Sequence, residues 1–193
     1  MDVIAYVDED DPELRQYTAP CARKTHIVVG PRVGTAKSLK KLIELCETDW
    51  MMLGSDDILF ETQDWDKNLI KVIPEDKVGI SFGEDKLERQ CNHPVLHRNL
   101  YELMGLWPDV FWHFGPDGYL GKVIEAVDMT RRVFVREVLI RHLQAKAGKS
   151  EKDQTFVDAR ARGNGRDDME KAMQFFDRDV AILKAEVERV ARL

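Results

Sequence analysis

At 193 residues, 44% of them hydrophobic and 33% charged, the chain is sized for one soluble globular core, and no apolar run approaches the roughly 18 residues of a membrane span. Its net charge of −6 argues against a general polyanion binder, although the charge is uneven: residues 131–166 carry 10 Lys and Arg against 4 Asp and Glu, while residues 1–130 carry 14 against 24. Cys21, Cys46 and Cys91 are odd in number and widely spaced with no CxxC, against a disulfide framework or a thiolate zinc site, and "MDVIAYVDEDD" lacks the basic flank and apolar core of a signal peptide, so a cytoplasmic protein is expected.

In chain order, "VIAYV" (Val3 to Val7) is a β-forming run closed by the turn and helix-start residues "DEDDP", which predicts a strand ending in an acidic loop. "THIVVGP" repeats that arrangement at Thr25 to Pro31. In "VGTAKSLKKLIELCETD", Leu39, Leu42, Ile43 and Cys46 fall at helical spacing with lysines opposite, which predicts an amphipathic helix of about four turns. "WMMLGSDD" follows as a third strand, buried by its unbroken apolar run. This rhythm predicts a Rossmann-like α/β sheet, mixed but mostly parallel and flanked by helices, and such sheets bind ligands beyond the carboxyl ends of their strands. Three of those ends carry "DEDD", "GPRVG" and "GSDD", so polar chemistry is expected along one edge.

Further on, "TQDWDKNLIKVI" (Thr62 to Ile73) predicts a helix ended by Pro74, "KVGISFGED" a fourth strand, and "HPVLHRNLYELMGLW" a loop running into a short helix. His93, His97 and His113 lack helix-type ligand spacing and read as acceptor-loop or structural residues. "GPDGYLGKVIEAVD" has a helical apolar pattern, and "RRVFVREVLIRHL" alternates as one or two strands. In the loop "AKAGKSEKDQ", Lys146, Lys149 and Lys152 are candidates to close over a diphosphate. From Asp167 to Leu193 the residues Phe176, Val180, Leu183, Val187 and Val190 keep a helical period. The chain therefore divides into a main domain, residues 1–160, and a C-terminal helical extension, residues 161–193.

Asp56 and Asp57 stand side by side behind a strand. Two adjacent carboxylates repel, and a partly buried pair asks for a cation or a set of donors between them. Taken in order, the acidic loop, "VGPRVGTAKSLKKL", "MLGSDDILF" with "WD" soon after, "HPVLHR", "HFGPDGYLG" and "IRHL" together resemble nucleotide-sugar glycosyltransferases of the GT-A fold. The chain is most similar to small relatives of the large inverting family that includes chitin, cellulose and polysaccharide synthases. The resemblance covers about residues 3–156.

The resemblance implies that Asp57 holds a divalent metal, Mn2+ or Mg2+, on the donor diphosphate, and that Asp56 meets the metal or the donor ribose. It maps the acidic residue facing the nucleotide base onto Asp8 or Asp10, the catalytic carboxylate onto Asp117, and a histidine metal ligand onto His142. Arg32 and Lys37, in and just after "GPRVG", are candidates for the diphosphate. Such enzymes open with a central strand ahead of the one that leads to the base-binding loop, whereas this sequence begins at the second. The sheet is therefore expected to lack its usual first strand, or to be completed by a partner's strand in a homo-oligomer. The acceptor implied is a hydroxyl of a carbohydrate or, since similar small enzymes occur in bacteriophages that glycosylate their DNA, of a modified DNA base.

The chemistry is coherent on its own terms. A leaving diphosphate gathers negative charge, which a hard cation, fixed N–H groups and basic side chains stabilise, and an acceptor hydroxyl needs a carboxylate base within about 3 Å. Two other classes fit the same residues: a nucleotidyltransferase, which would release pyrophosphate, and a non-catalytic module that binds a nucleotide or a partner protein.

Overall fold

The computed structural model of the chain describes residues 2–17, 25–86, 91–143, 154–162 and 165–193. Among them the strands are β1 (Val3–Asp8), β2 (Thr25–Gly30), β3 (Trp50–Met52), β4 (Ile58–Phe60), β5 (Ile80–Glu84), β6 (Val95–His97) and β7 (Arg132–His142). The helices are α1 (Leu14–Tyr17), α2 (Thr35–Leu45), α3 (Trp65–Ile70), α4 (Asn99–Met104), α5 (Pro116–Val127), α6 (Gln154–Ala161), α7 (Arg166–Ala172) and α8 (Phe176–Val190). No helix among the described residues is long and apolar enough to cross a membrane.

The strands form two sheets. β1 and β2 pair in parallel, from Val3 opposite Thr25 to Asp8 opposite Gly30. The other five are ordered β3-β6-β5-β7-β4. Their pairings correct the expectation of a mostly parallel sheet: β3 with β6, β6 with β5, and β7 with β4 are antiparallel, and only β5 with β7 is parallel. The cause is two short strands. "VLH" (β6), predicted as loop, and "ILF" (β4), predicted as no separate element, are three residues each, below the length at which alternation is legible. β6 lies between β3 and β5, β4 lies at the edge beyond β7, and both run opposite to their neighbours.

Side chains alternate across the five-stranded sheet as the pleat requires. Met51, Ile80, Phe82 and Leu96 face a core shared with α2, α4, α5 and α8, through Ile43, Leu100, Leu120, Val123, Ile124 and Leu183. Val95, Val138 and Ile140 face the other way, against Leu69 and Ile73 of α3 and the turn after it. Ser81, buried on that second face, donates its hydroxyl hydrogen to the Leu69 carbonyl at 2.8 Å. The C-terminal segment, expected as one helical stretch, is broken into α7, a 3-10 turn (Met173–Phe175) and α8. A buried polar contact fastens α8 to α5: the Tyr119 hydroxyl donates to Asp179 at 2.7 Å, and Arg178 pairs with the same carboxylate at 2.7 Å. Because Asp179 is fully buried, these partners are what make its charge tolerable there.

Candidate functional site

The strand directions decide where polar residues gather. β3, β5 and β7 run the same way and end at one edge of the sheet, and the opposed strands β4 and β6 begin there. That edge receives Asp57 just before β4, Asp85 just after β5, Asn92 and His93 just before β6, and His142 as the last residue of β7. Backbone bonds stitch them together: Leu143 N donates to Asp57 O at 2.7 Å, His142 N to Asp85 O at 3.4 Å, and Leu53 N to Pro94 O at 3.0 Å.

The side chains meet as well. His142 Nε2 lies 3.1 Å from Asp57 Oδ1, and the Ser55 hydroxyl donates to the same oxygen at 2.5 Å. The His93 ring stands edge-on to that of His142, with centroids 4.6 Å apart. Asn92 donates to Asp85 at 2.7 Å. Burial pushes the Asp57 pKa up, but hydrogen bonds from His142 and Ser55, with the charges of His142 and His93, outweigh it and bring the carboxyl down to about 2. Burial, seconded by the charge of His142, lowers His93 to about 4, so its imidazole is neutral at pH 7. The His93 backbone is left-handed at φ 52, and its Nε2 is buried with no hydrogen-bond partner among the described residues.

Asp117 lies in the first turn of α5, whose start is set by Gly115 at φ 107 and Pro116. Burial raises its pKa, against the backbone N–H groups of Gly118 and of Asp117 itself and against the charge of His142. A carboxylate with a raised pKa is the better proton acceptor. Cys91 is buried beside Asp117 and Arg132; burial raises its pKa further than Arg132 lowers it, leaving an inert thiol.

The other sequence-derived candidates lie elsewhere. Asp8 and Asp10 follow the parallel strands to the end where Glu9 N bonds Gly30 O, and both meet Arg32, at 3.4 Å and 3.0 Å. Arg32 is thus engaged with both of the alternatives, Asp8 and Asp10, for the residue facing a base. Lys37, in the first turn of α2, lines a separate cleft. Asp56 is exposed in the turn between β3 and β4. Lys146, Lys149 and Lys152 lie outside the described residues.

Among the described residues no three His, Cys, Asp or Glu side chains are grouped to hold a metal ion, and the His142 nitrogen that would ligate one is turned to Asp57. Asp85, Asn92 and His93 were not foreseen at the site. Asp85 directly follows β5, a strand legible in the sequence, whereas Asn92 and His93 stand ahead of β6, a strand too short to recognise. His97 and His113 have structural partners: His97 accepts from Asn99 N at 3.1 Å, and His113 meets the Thr35 hydroxyl at 2.5 Å. No protein-family profile matches the chain, and no curated protein is detectably similar to it.

Proposed function

We propose that the protein is a metal-dependent glycosyltransferase of GT-A type, moving a sugar from a nucleoside diphosphate sugar to a hydroxyl acceptor with inversion. The observation that carries this reading is the contact of His142 with Asp57 at the sheet edge, together with the effect of the His142 charge on the Asp117 carboxyl in the first turn of α5. The order of motifs that resembles the inverting family supports it.

In this reading Asp57, with Asp56, holds Mg2+ or Mn2+, which offsets the charge growing on the leaving diphosphate. Held near pKa 2, Asp57 is ionised at any physiological pH. His142 fixes the orientation of the Asp57 carboxylate and is a further candidate ligand once that contact opens. Asp117 accepts the acceptor hydroxyl proton as the new glycosidic bond forms. Asp8 or Asp10 faces the base, and Arg32 holds that acidic loop in place.

The test is turnover. Nucleotide sugars are incubated with the protein and a mixed carbohydrate acceptor pool, or with hydroxymethylated DNA, and release of nucleoside diphosphate is followed. The expected result is metal-dependent release that falls at least about a hundredfold in Asp117→Asn, the scale of a general base. Pyrophosphate release from a nucleoside triphosphate would identify a nucleotidyltransferase instead. A second reading has its own support: the Asp57 and His142 contact is closed and the sheet is split, which suits a module that binds a nucleotide or a partner without turnover.

A further inference from the structure

A cleft of about 370 Å3 opens where the start of α2, the 109–112 segment and α7 meet, with Lys37, Asp109, Trp112, Arg162, Asp168 and Lys171 on its walls. Its volume is at the small end of the range for ligand pockets, about 300–1,000 Å3. It shares no residue with the edge that carries Asp57 and His142.

The walls are built rather than incidental. Gly34 has φ 81, and a Cβ there would collide with the Trp112 carbonyl and indole, so the indole lies directly against the start of α2. Ala36 N donates to Trp112 O at 3.2 Å. Arg162 lays its guanidinium over the indole, 4.1 Å from the ring centroid, an arrangement that fixes the planar cation and leaves its N–H edge for other partners.

The cleft's own carboxylates are already engaged. Asp109 pairs with Lys40 at 2.5 Å, and Asp168 accepts the Trp112 backbone N–H at 3.2 Å. Among the described residues Lys37, Arg162 and Lys171 have no carboxylate partner, and the Trp112 indole N–H is buried with no acceptor. What is unfilled is therefore cationic or a donor. Lys37, Arg162 and Lys171 are exposed, and among the described residues the cleft sets against them one carboxylate without an ion-pair partner, Asp168, so its excess charge is positive and a multiply charged oxyanion suits it.

We propose that this cleft binds the phosphate groups of a ligand through Lys37, Arg162 and Lys171, with the positive end of α2 behind them. The inference goes beyond the transfer reading and requires neither Asp57 nor Asp117. The phosphates can belong to a small diphosphate or to a nucleic-acid backbone, and the chemistry at the cleft is the same.

The experiment is calorimetric titration at low salt with inorganic pyrophosphate and, separately, with a short single-stranded oligonucleotide. It is run on the wild type and on Lys171→Glu, Lys37→Glu and Asp57→Ala, each checked by circular dichroism for folding. Binding of either probe, weakened about tenfold or more by Lys171→Glu and by Lys37→Glu and unchanged in Asp57→Ala, supports the proposal. Pyrophosphate alone then marks a small diphosphate as the source, and binding of the oligonucleotide that falls steeply with salt marks a phosphodiester backbone. Binding of neither probe, wild-type binding in both lysine variants, or a loss that follows Asp57→Ala overturns it. Because the transfer reading depends on Asp57 and this one does not, either can fail alone.

Discussion

Asp57 meets His142 with side-chain exposures of 27% and 10%, whereas Asp10, at the end of the β1 and β2 pair, meets Arg32 with 61% of its own side chain in solvent. Both are acid and base at about 3 Å. At the first place the neighbours' hydrogen bonds and charges outweigh burial and carry the acid to about 2; at the second, water screens most of what the partners gain. The surroundings differ to match. Val78, Ile80, Leu96 and Leu100 are fully buried around the five-stranded sheet, while Val3 and Val29 of the smaller pair are 39% and 45% exposed. Charge is made consequential where the core is deep, and that is where the candidate chemistry lies.

Mutation tests this contrast most strongly in the core. Leu96→Ala should lower stability by about 2–5 kcal/mol, through lost burial and the cavity left behind, and Val29→Ala by about 0.5 kcal/mol or less. Urea denaturation of both variants reads the difference, and equal losses would mean that the two sheets are equally packed.

Acid gives the next largest effect. His93 has its pKa lowered from an ordinary 6.5 to about 4, so its stabilising share is complete above about pH 6.5 and is lost as the pH falls toward 4, where the unfolded chain takes up the proton first. The loss should be about 3 kcal/mol, and His93→Gln should flatten the stability profile over that window. The Asp57 share lies lower, present above about pH 3.8 and lost as the pH falls toward 2. His142→Ala should then let the Asp57 carboxyl titrate well above 2, because burial remains when its main partner is gone; carbon-detected NMR titration follows it directly. At the exposed end, Arg32→Ala should cost under about 1 kcal/mol, less still at high salt. A larger cost would show that the Asp8 and Asp10 loop is a structural joint.

Much of the element order was legible because the longer segments carry their period openly. Leu39, Leu42 and Ile43 announced α2, and the alternation of "RRVFVREVLIRHL" announced β7. What stayed hidden has physical causes. Three-residue strands such as Ile58–Phe60 and Val95–His97 have no period to read, and their direction is set by partners distant in sequence, so the antiparallel pairings were out of reach. The meeting of Asp57 with His142 follows from the pairing of Ile58 with His142 across β4 and β7, a register no local pattern encodes. His93 was visible as a residue but not as a neighbour of His142, because its left-handed backbone and buried Nε2 are products of the assembled edge.

The most direct measurement is calorimetric titration of the wild type and Asp57→Ala with a panel of nucleoside diphosphates, each with and without Mn2+. A donor site at this edge predicts a metal-requiring component of nucleotide binding that Asp57→Ala abolishes, distinct from any metal-independent binding at the Lys37 cleft, with the preferred base naming the class of sugar donor to try. Absence of binding, or binding indifferent to both the metal and Asp57, would contradict it and leave the Asp57 and His142 contact as a structural pair at the mouth of the sheet.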